Sequence, residues 1–220
     1  MGLVEIATGK VLSSFSVFLF LTILLMVVAR RISTCVLLFS VQSAIIAAEV
    51  FATGFREKLA EAFVIGALIL VIKVVAIPRA FFGLVEHLKT SHDVKASTTP
   101  TQSVFIVAAM IYLSYAAVHS YGQSVHVPED ALAAAVALIL TGAFLMVSRN
   151  KTLMQMIGLL VLENGIFLAA LTTTFGMPLV IEIGIFFDVL VGLLLMGIFT
   201  FRIRETFDHL DVSKLRRLRG

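Results

Sequence analysis

The chain has 220 residues, of which 60% are hydrophobic and 14% charged, and its mean hydropathy is +1.05. That balance excludes an ordinary soluble domain and reads as an integral membrane protein. The formal charge of +3 comes from Lys and Arg placed between apolar segments and in the tail, so it implies no nucleic-acid partner.

A membrane span needs about 20 apolar residues, roughly 30 Å at a rise of 1.5 Å per residue. By that measure the sequence predicts an all-α membrane protein with seven transmembrane helices. The first covers about 11–29 and stops at Arg30-Arg31. The residues before Val11 lack the basic start and cleavage site of a signal peptide, so this span is expected to be retained. The second runs over about 32–53, and the third over about 60–77, where Pro78 is expected to close it. A polar stretch follows, with Ser91-His92-Asp93 and Ser97-Thr98-Thr99-Pro100 as its loop signal. The fourth span covers about 103–121. The fifth opens after Pro128-Glu129-Asp130, a helix-start signature, and ends near Ser148. The sixth covers about 152–174 and the seventh about 178–201. Three segments result: 1–102, three helices and a linker; 103–128, the fourth span and its loop; and 129–220, three helices and a basic tail.

Seven spans put the termini on opposite sides. Thirteen of the 17 Lys and Arg residues then fall on one side, and Lys10, Arg56 and Lys58 on the other. The positive-inside rule therefore predicts an outer N-terminus and a cytoplasmic C-terminus, in the cell (inner) membrane. An internal repeat is also suggested. Val28-Ala29-Arg30 resembles Val147-Ser148-Arg149, Ile65-Gly66 resembles Ile183-Gly184, and Gln42 falls near Glu163 once a two-residue gap is allowed.

The lone Cys35 can form no internal disulfide and, without further ligands, neither a zinc site nor an iron–sulfur cluster. The five histidines show no paired spacing, and there is no Walker loop, dinucleotide motif or nucleophile elbow. No cofactor and no metal are expected in this chain.

The candidate chemistry lies in ionisable residues inside the spans. A charge at mid-bilayer costs about 3 kcal/mol on insertion scales, so one that is kept marks a functional position by default. Lys73, Glu163 and Asp188 are the deepest. Glu163 is followed by Asn164 and Gly165, and Gly158 and Gly165 share a helix face that a neighbour could approach closely. Glu163 is either a proton-relay group or a static buried acid hydrogen-bonded to another helix. Asp188 has Glu182 six residues earlier, on a different face, one turn past Pro178. Lys73 sits five residues before Pro78, which frees the carbonyl of Val74. It either pairs with a carboxylate, in this chain or another, or is held neutral, or snorkels to the interface. Gln42 and Glu49 share one face of the second span, and Glu49 is near enough to the outer surface to be wetted. Phe81, Phe82, Leu84, Val85 and Leu88, among polar residues of 79–92, fit either a continuation of the third helix or a surface-lying helix. The tail alternates Leu210, Val212, Leu215 and Leu218 with basic residues, suiting an anchor to anionic lipid or docking on a neighbouring subunit.

Two stretches together resemble the hydrogenase-4 component E family, membrane subunits of formate-hydrogenlyase-type energy-converting nickel–iron hydrogenases. One is Gly158-Leu159-Leu160-Val161-Leu162-Glu163-Asn164-Gly165 with Pro178-Leu179-Val180-Ile181-Glu182-Ile183-Gly184 and Asp188. The other runs from Leu210-Asp211-Val212 to Leu218-Arg219-Gly220. Ile72-Lys73-Val74-Val75-Ala76-Ile77-Pro78 is similar as well. The resemblance is strongest over about 129–220, which also looks like the K subunit of bacterial complex I and the C subunit of Mrp-type antiporters. By that likeness Glu163 and Asp188 take two mid-membrane carboxylate positions, with Asp where the K subunit carries Glu. The resemblance implies a non-redox subunit whose partners are an antiporter-like membrane subunit, one like the complex I H protein, and peripheral subunits carrying iron–sulfur clusters and the nickel–iron centre. The rival expectations are a subunit of a multi-subunit cation/proton antiporter and a purely structural bridging subunit.

Overall fold

The computed structural model describes residues 2–87, 98–122 and 128–173, together with Gly184 and Gly192. Its elements are α1 (Gly2–Val28), α2 (Ile32–Glu57), α3 (Ala60–Ile69), a π-helical stretch (Leu70–Ala76), α4 (Ile77–His87), α5 (Pro100–Gly122), α6 (Glu129–Ser148) and α7 (Thr152–Thr173). Every regular element among the described residues is helical, the form that pairs all backbone groups within one segment in lipid.

Five helices are long and apolar enough to cross a membrane: Ile32–Glu57, Ala60–Gly83, Pro100–Ser120, Glu129–Ser148 and Thr152–Thr173. The expected seven are thus five among the described residues. The first appears as the shorter apolar stretch Phe15–Val28, at the end of the 27-residue α1. The seventh lies outside the described residues, as do Glu182, Asp188 and the basic tail. Met1–Gly184 forms one compact unit and Ile185–Gly220 a second.

The polarity of the first unit suits lipid. Large apolar side chains such as Phe18, Val64, Val71 and Phe105 face outward, while Gln42, Ser43, Glu49, Lys73, Glu163 and Asn164 are buried. A protein in hydrocarbon gains nothing by hiding leucine, but it must satisfy its polar groups internally.

Two helical hairpins lie side by side, α1 packing on α6 and α2 on α7. Their three-residue turns each carry an arginine in extended backbone, Arg31 (φ −113°, ψ 135°) and Arg149 (φ −105°, ψ 130°). The suggested repeat is offset by one residue here: it pairs Arg30 with Arg149, whereas the matching extended arginines are Arg31 and Arg149. Gly66 stands against Phe51 and Gly184 against Phe167.

Among the described residues the α6–α7 pair is the most extensive. α6 offers Ala131, Ala135 and Gly142, and α7 offers Gly158 and Gly165. A Cβ on Gly142 would stand 2.5 Å from the Leu162 nitrogen and 2.7 Å from the Gly158 oxygen. Backbone meets backbone there, as the spacing of Gly158 and Gly165 suggested.

Pro78 does not close the third span. Ala60–Gly83 runs as one helix through it, and α4 carries the helix on to His87. The π-helical turn explains this: Ile77 N–H bonds to Ile72 O, five residues back. Widening the turn moves the preceding carbonyls away from the proline ring, which in α register would strike the carbonyl four residues earlier. Of the two readings of the segment after Pro78, continuation of the helix is found as far as His87. Ile77, Phe81 and Val85 form its buried stripe, and Phe82 is exposed.

Candidate functional site

The π-helical stretch aims one side chain inward. Leu70, Val71 and Val75 are exposed, while Lys73 is the buried residue of this turn. Its Nζ lies 2.9 Å from Glu163 Oε1, with the two side chains 4% and 3% exposed. It also donates to Asn164 Oδ1 at 3.2 Å and stands 5.9 Å from the centre of the Phe167 ring, within cation–π range. Of the readings open for Lys73, pairing with a carboxylate of its own chain is the one found. The lysine does not snorkel.

Asn164 continues the network. Its Nδ2 donates to Gln42 Oε1 at 3.2 Å and to Ser43 Oγ at 3.1 Å. Gln42 Nε2 donates to Thr22 Oγ1 at 3.2 Å, and the Thr22 hydroxyl donates to Leu19 O at 2.7 Å. Four helical segments are tied in this way: the π-helical stretch, α7, α2 and α1. Every bond has its acceptor on the side away from Lys73 and its donor on the side nearer, so the dipoles align. Negative ends point back at the ammonium, an arrangement in which successive bonds strengthen one another.

Thr22 lies six residues before the end of α1, Gln42 ten into α2 and Asn164 twelve into α7. At 1.5 Å per residue these positions are about 9, 15 and 18 Å from the turns. The network therefore runs mainly sideways through the bundle. Its chemistry divides. The Lys73–Glu163 pair can exchange a proton or separate its charges, whereas the amides of Asn164 and Gln42 orient and stabilise rather than titrate.

Glu49 corrects an expectation. It is 2% exposed rather than wetted, seven residues beyond Gln42, about 10 Å along the axis. Its charged neighbour is Arg56, near the α2 end, and it is not joined to the Lys73 network. Gln42 lies beside Asn164, one residue from the Glu163 position that the repeat suggested. Glu182 and Asp188 lie outside the described residues. Ser43 and Thr22 were not singled out in the sequence. Serines and threonines in apolar helices commonly bond back to their own backbone, as Ser40 does to Val36 O, so nothing local distinguishes the two that reach across.

At one end of the bundle Tyr115 donates to Asp130 Oδ1 at 3.1 Å and His119 Nδ1 stands 3.2 Å from Glu129 Oε2, both on the exposed surface. No group of three or more His, Cys, Asp or Glu among the described residues could hold a metal ion.

No family model matches the chain, and no solved structure matches it. Over 203 residues the chain is 29% identical to the uncharacterized protein Rv0085 of Mycobacterium tuberculosis (strain ATCC 25618 / H37Rv), a likeness covering 91% of this chain and 92% of that protein.

Proposed function

We propose that the chain is a non-redox, multi-pass subunit of an energy-converting nickel–iron hydrogenase in the cell membrane, with seven spans, an outer N-terminus and a cytoplasmic C-terminus. The observation that carries this reading is the buried Lys73–Glu163 ion pair, joined at 2.9 Å between two apolar helices. Desolvating two charges costs more than their attraction usually returns, so such a pair is poorly explained by stability alone. The resemblance of 158–165 and 72–78 to the hydrogenase-4 component E family supplies the context. The nickel–iron centre and iron–sulfur clusters belong to peripheral partner subunits, and antiporter-like and complex I H-like subunits adjoin it in the membrane.

In this reading Lys73 and Glu163 form a charge switch. A field change from electron transfer in the peripheral arm parts the pair, and the aligned amides of Asn164 and Gln42 hold the lysine charge while Glu163 takes a proton. Asp188 and Glu182 extend the path towards neighbouring subunits, with Glu49 as a separate buried acid on α2. Reforming the pair expels the proton, coupling hydrogen or formate oxidation–reduction to proton or sodium movement.

Glu163→Gln in the assembled complex is the test. In the complex that assembles, hydrogen turnover with ion pumping lost is the expected result, and unimpaired pumping removes Glu163 from the path. Mass spectrometry of the gently solubilised complex tests the context. Hydrogenase large and small subunits should accompany the chain, whereas antiporter subunits without them would establish the second reading, a cation/proton antiporter.

A further inference from the structure

The two hairpin turns carry Arg30 and Arg31 on one and Arg149 and Lys151 on the other, with no acidic residue in either turn. They lead into the N-termini of α2 and α7, whose first turns also lack an acid, and Arg31 at the α2 N-cap makes no side-chain capping bond. Positive helix ends and the cations Arg30, Arg31, Arg149 and Lys151 thus share one place.

The seam between the turns is also incomplete inside. Arg149 and Ser148 are each only 5% exposed. Arg149 reaches across to α1, donating from Nη2 to Val27 O at 2.6 Å, and its other electrostatic neighbour is Cys35 in the first turn of α2. Its buried Nε has no hydrogen-bond partner, and neither does the buried Ser148 Oγ. Burial pulls the guanidinium below its ordinary pKa, as expected for a cation held away from water. Buried donors left unmade cost more than made ones return, so an acceptor from outside this chain would complete the seam.

We propose that the seam between these turns binds the phosphate of an anionic membrane lipid, with Arg149 Nε and Ser148 Oγ as its inner donors and Arg30, Arg31 and Lys151 as its outer charges. A phosphate offers several acceptor oxygens and matches the guanidinium fork. The turns sit at the ends of α2, α6 and α7, the level at which lipid phosphates lie if these helices cross a bilayer. The site depends on that crossing and not on ion transfer through Lys73 and Glu163.

Native mass spectrometry of the full-length protein with its co-purifying chains, in an uncharged detergent, tests the assignment. Phosphatidylglycerol, phosphatidylcholine and inorganic phosphate are added in separate arms. Wild type should retain phosphatidylglycerol at collision energies that strip phosphatidylcholine. Arg149→Gln should weaken phosphatidylglycerol binding about fivefold, and Arg31→Gln with Lys151→Gln, at less buried positions that should not disturb folding, about 25-fold. Equal retention of the two lipids overturns the proposal. So does inorganic phosphate competing as well as the lipid, which assigns the seam to a free anion. Unchanged lipid binding in both variants also overturns it and leaves a carboxylate of a neighbouring subunit as the missing acceptor.

Discussion

Lys73 and Glu163 meet at 2.9 Å although 90 residues separate them in the chain, and each is turned away from the apolar surface of its helix. Removing either one breaks a buried ion pair and leaves the other charge in the interior. Lys73→Met and Glu163→Gln are each expected to destabilise the protein by about 3–5 kcal/mol, and the double variant to recover most of that loss. Unfolding in mixed detergent, arranged as a double-mutant cycle, measures it. Additive effects would show that the two side chains act independently in the folded protein.

Asn164 links the pair to the rest of the network through one acceptor and two donor bonds. Asn164→Leu keeps the volume and removes all three. Interhelical hydrogen bonds in membranes average about 0.6 kcal/mol, so a loss of about 2 kcal/mol is expected. Gln42→Leu in the same background should add only about 0.6 kcal/mol, the value of its remaining bond to Thr22, because its bond to Asn164 is already gone. A large second loss would place the main support of Gln42 elsewhere.

Gly142 and Gly83 provide a contrast within one molecule. At Gly142 a side chain meets the backbone of Leu162 and Gly158, which cannot yield unless α6 and α7 part. Gly142→Val should cost about 1–3 kcal/mol or more. At Gly83 nothing lies within 4 Å, so Gly83→Ala should stabilise by about 0.5–1 kcal/mol through helix propensity alone. Equal effects at the two sites would contradict the close α6–α7 seam.

Cys35 reports on the turn end of the bundle. It is the single cysteine of the chain, fully buried, with its Sγ 3.9 Å from Met26 O. A maleimide should leave it unmodified in the folded protein and label it fully after denaturation. Arg149→Gln removes the bond to Val27 O that closes the seam over it, so labelling should accelerate in that variant. Rapid labelling of the native wild type would mean that the seam is open.

The class of the molecule was legible in the amino-acid sequence, because uninterrupted apolar length permits few structures other than helices in lipid. It marked most helix ends through Arg30-Arg31, Pro128-Glu129-Asp130 and Arg149, and it singled out Lys73 and Glu163, since a charge inside an apolar run is visible without any structure. Gly158 and Gly165 were legible for the same reason: their spacing sets them on one face. Tertiary structure decided the partnerships. Which carboxylate faces Lys73 depends on how α7 packs against α2 and the π-helical stretch, and nothing near Lys73 in the chain records it. The same packing turned Asn164, Ser43 and Thr22 into one network and sealed Glu49 from water. It also carried the third helix past Pro78, because one widened turn absorbed a break that local rules would have enforced. Composition sets what a helix requires of its surroundings, and only the meeting of helices sets which neighbour supplies it.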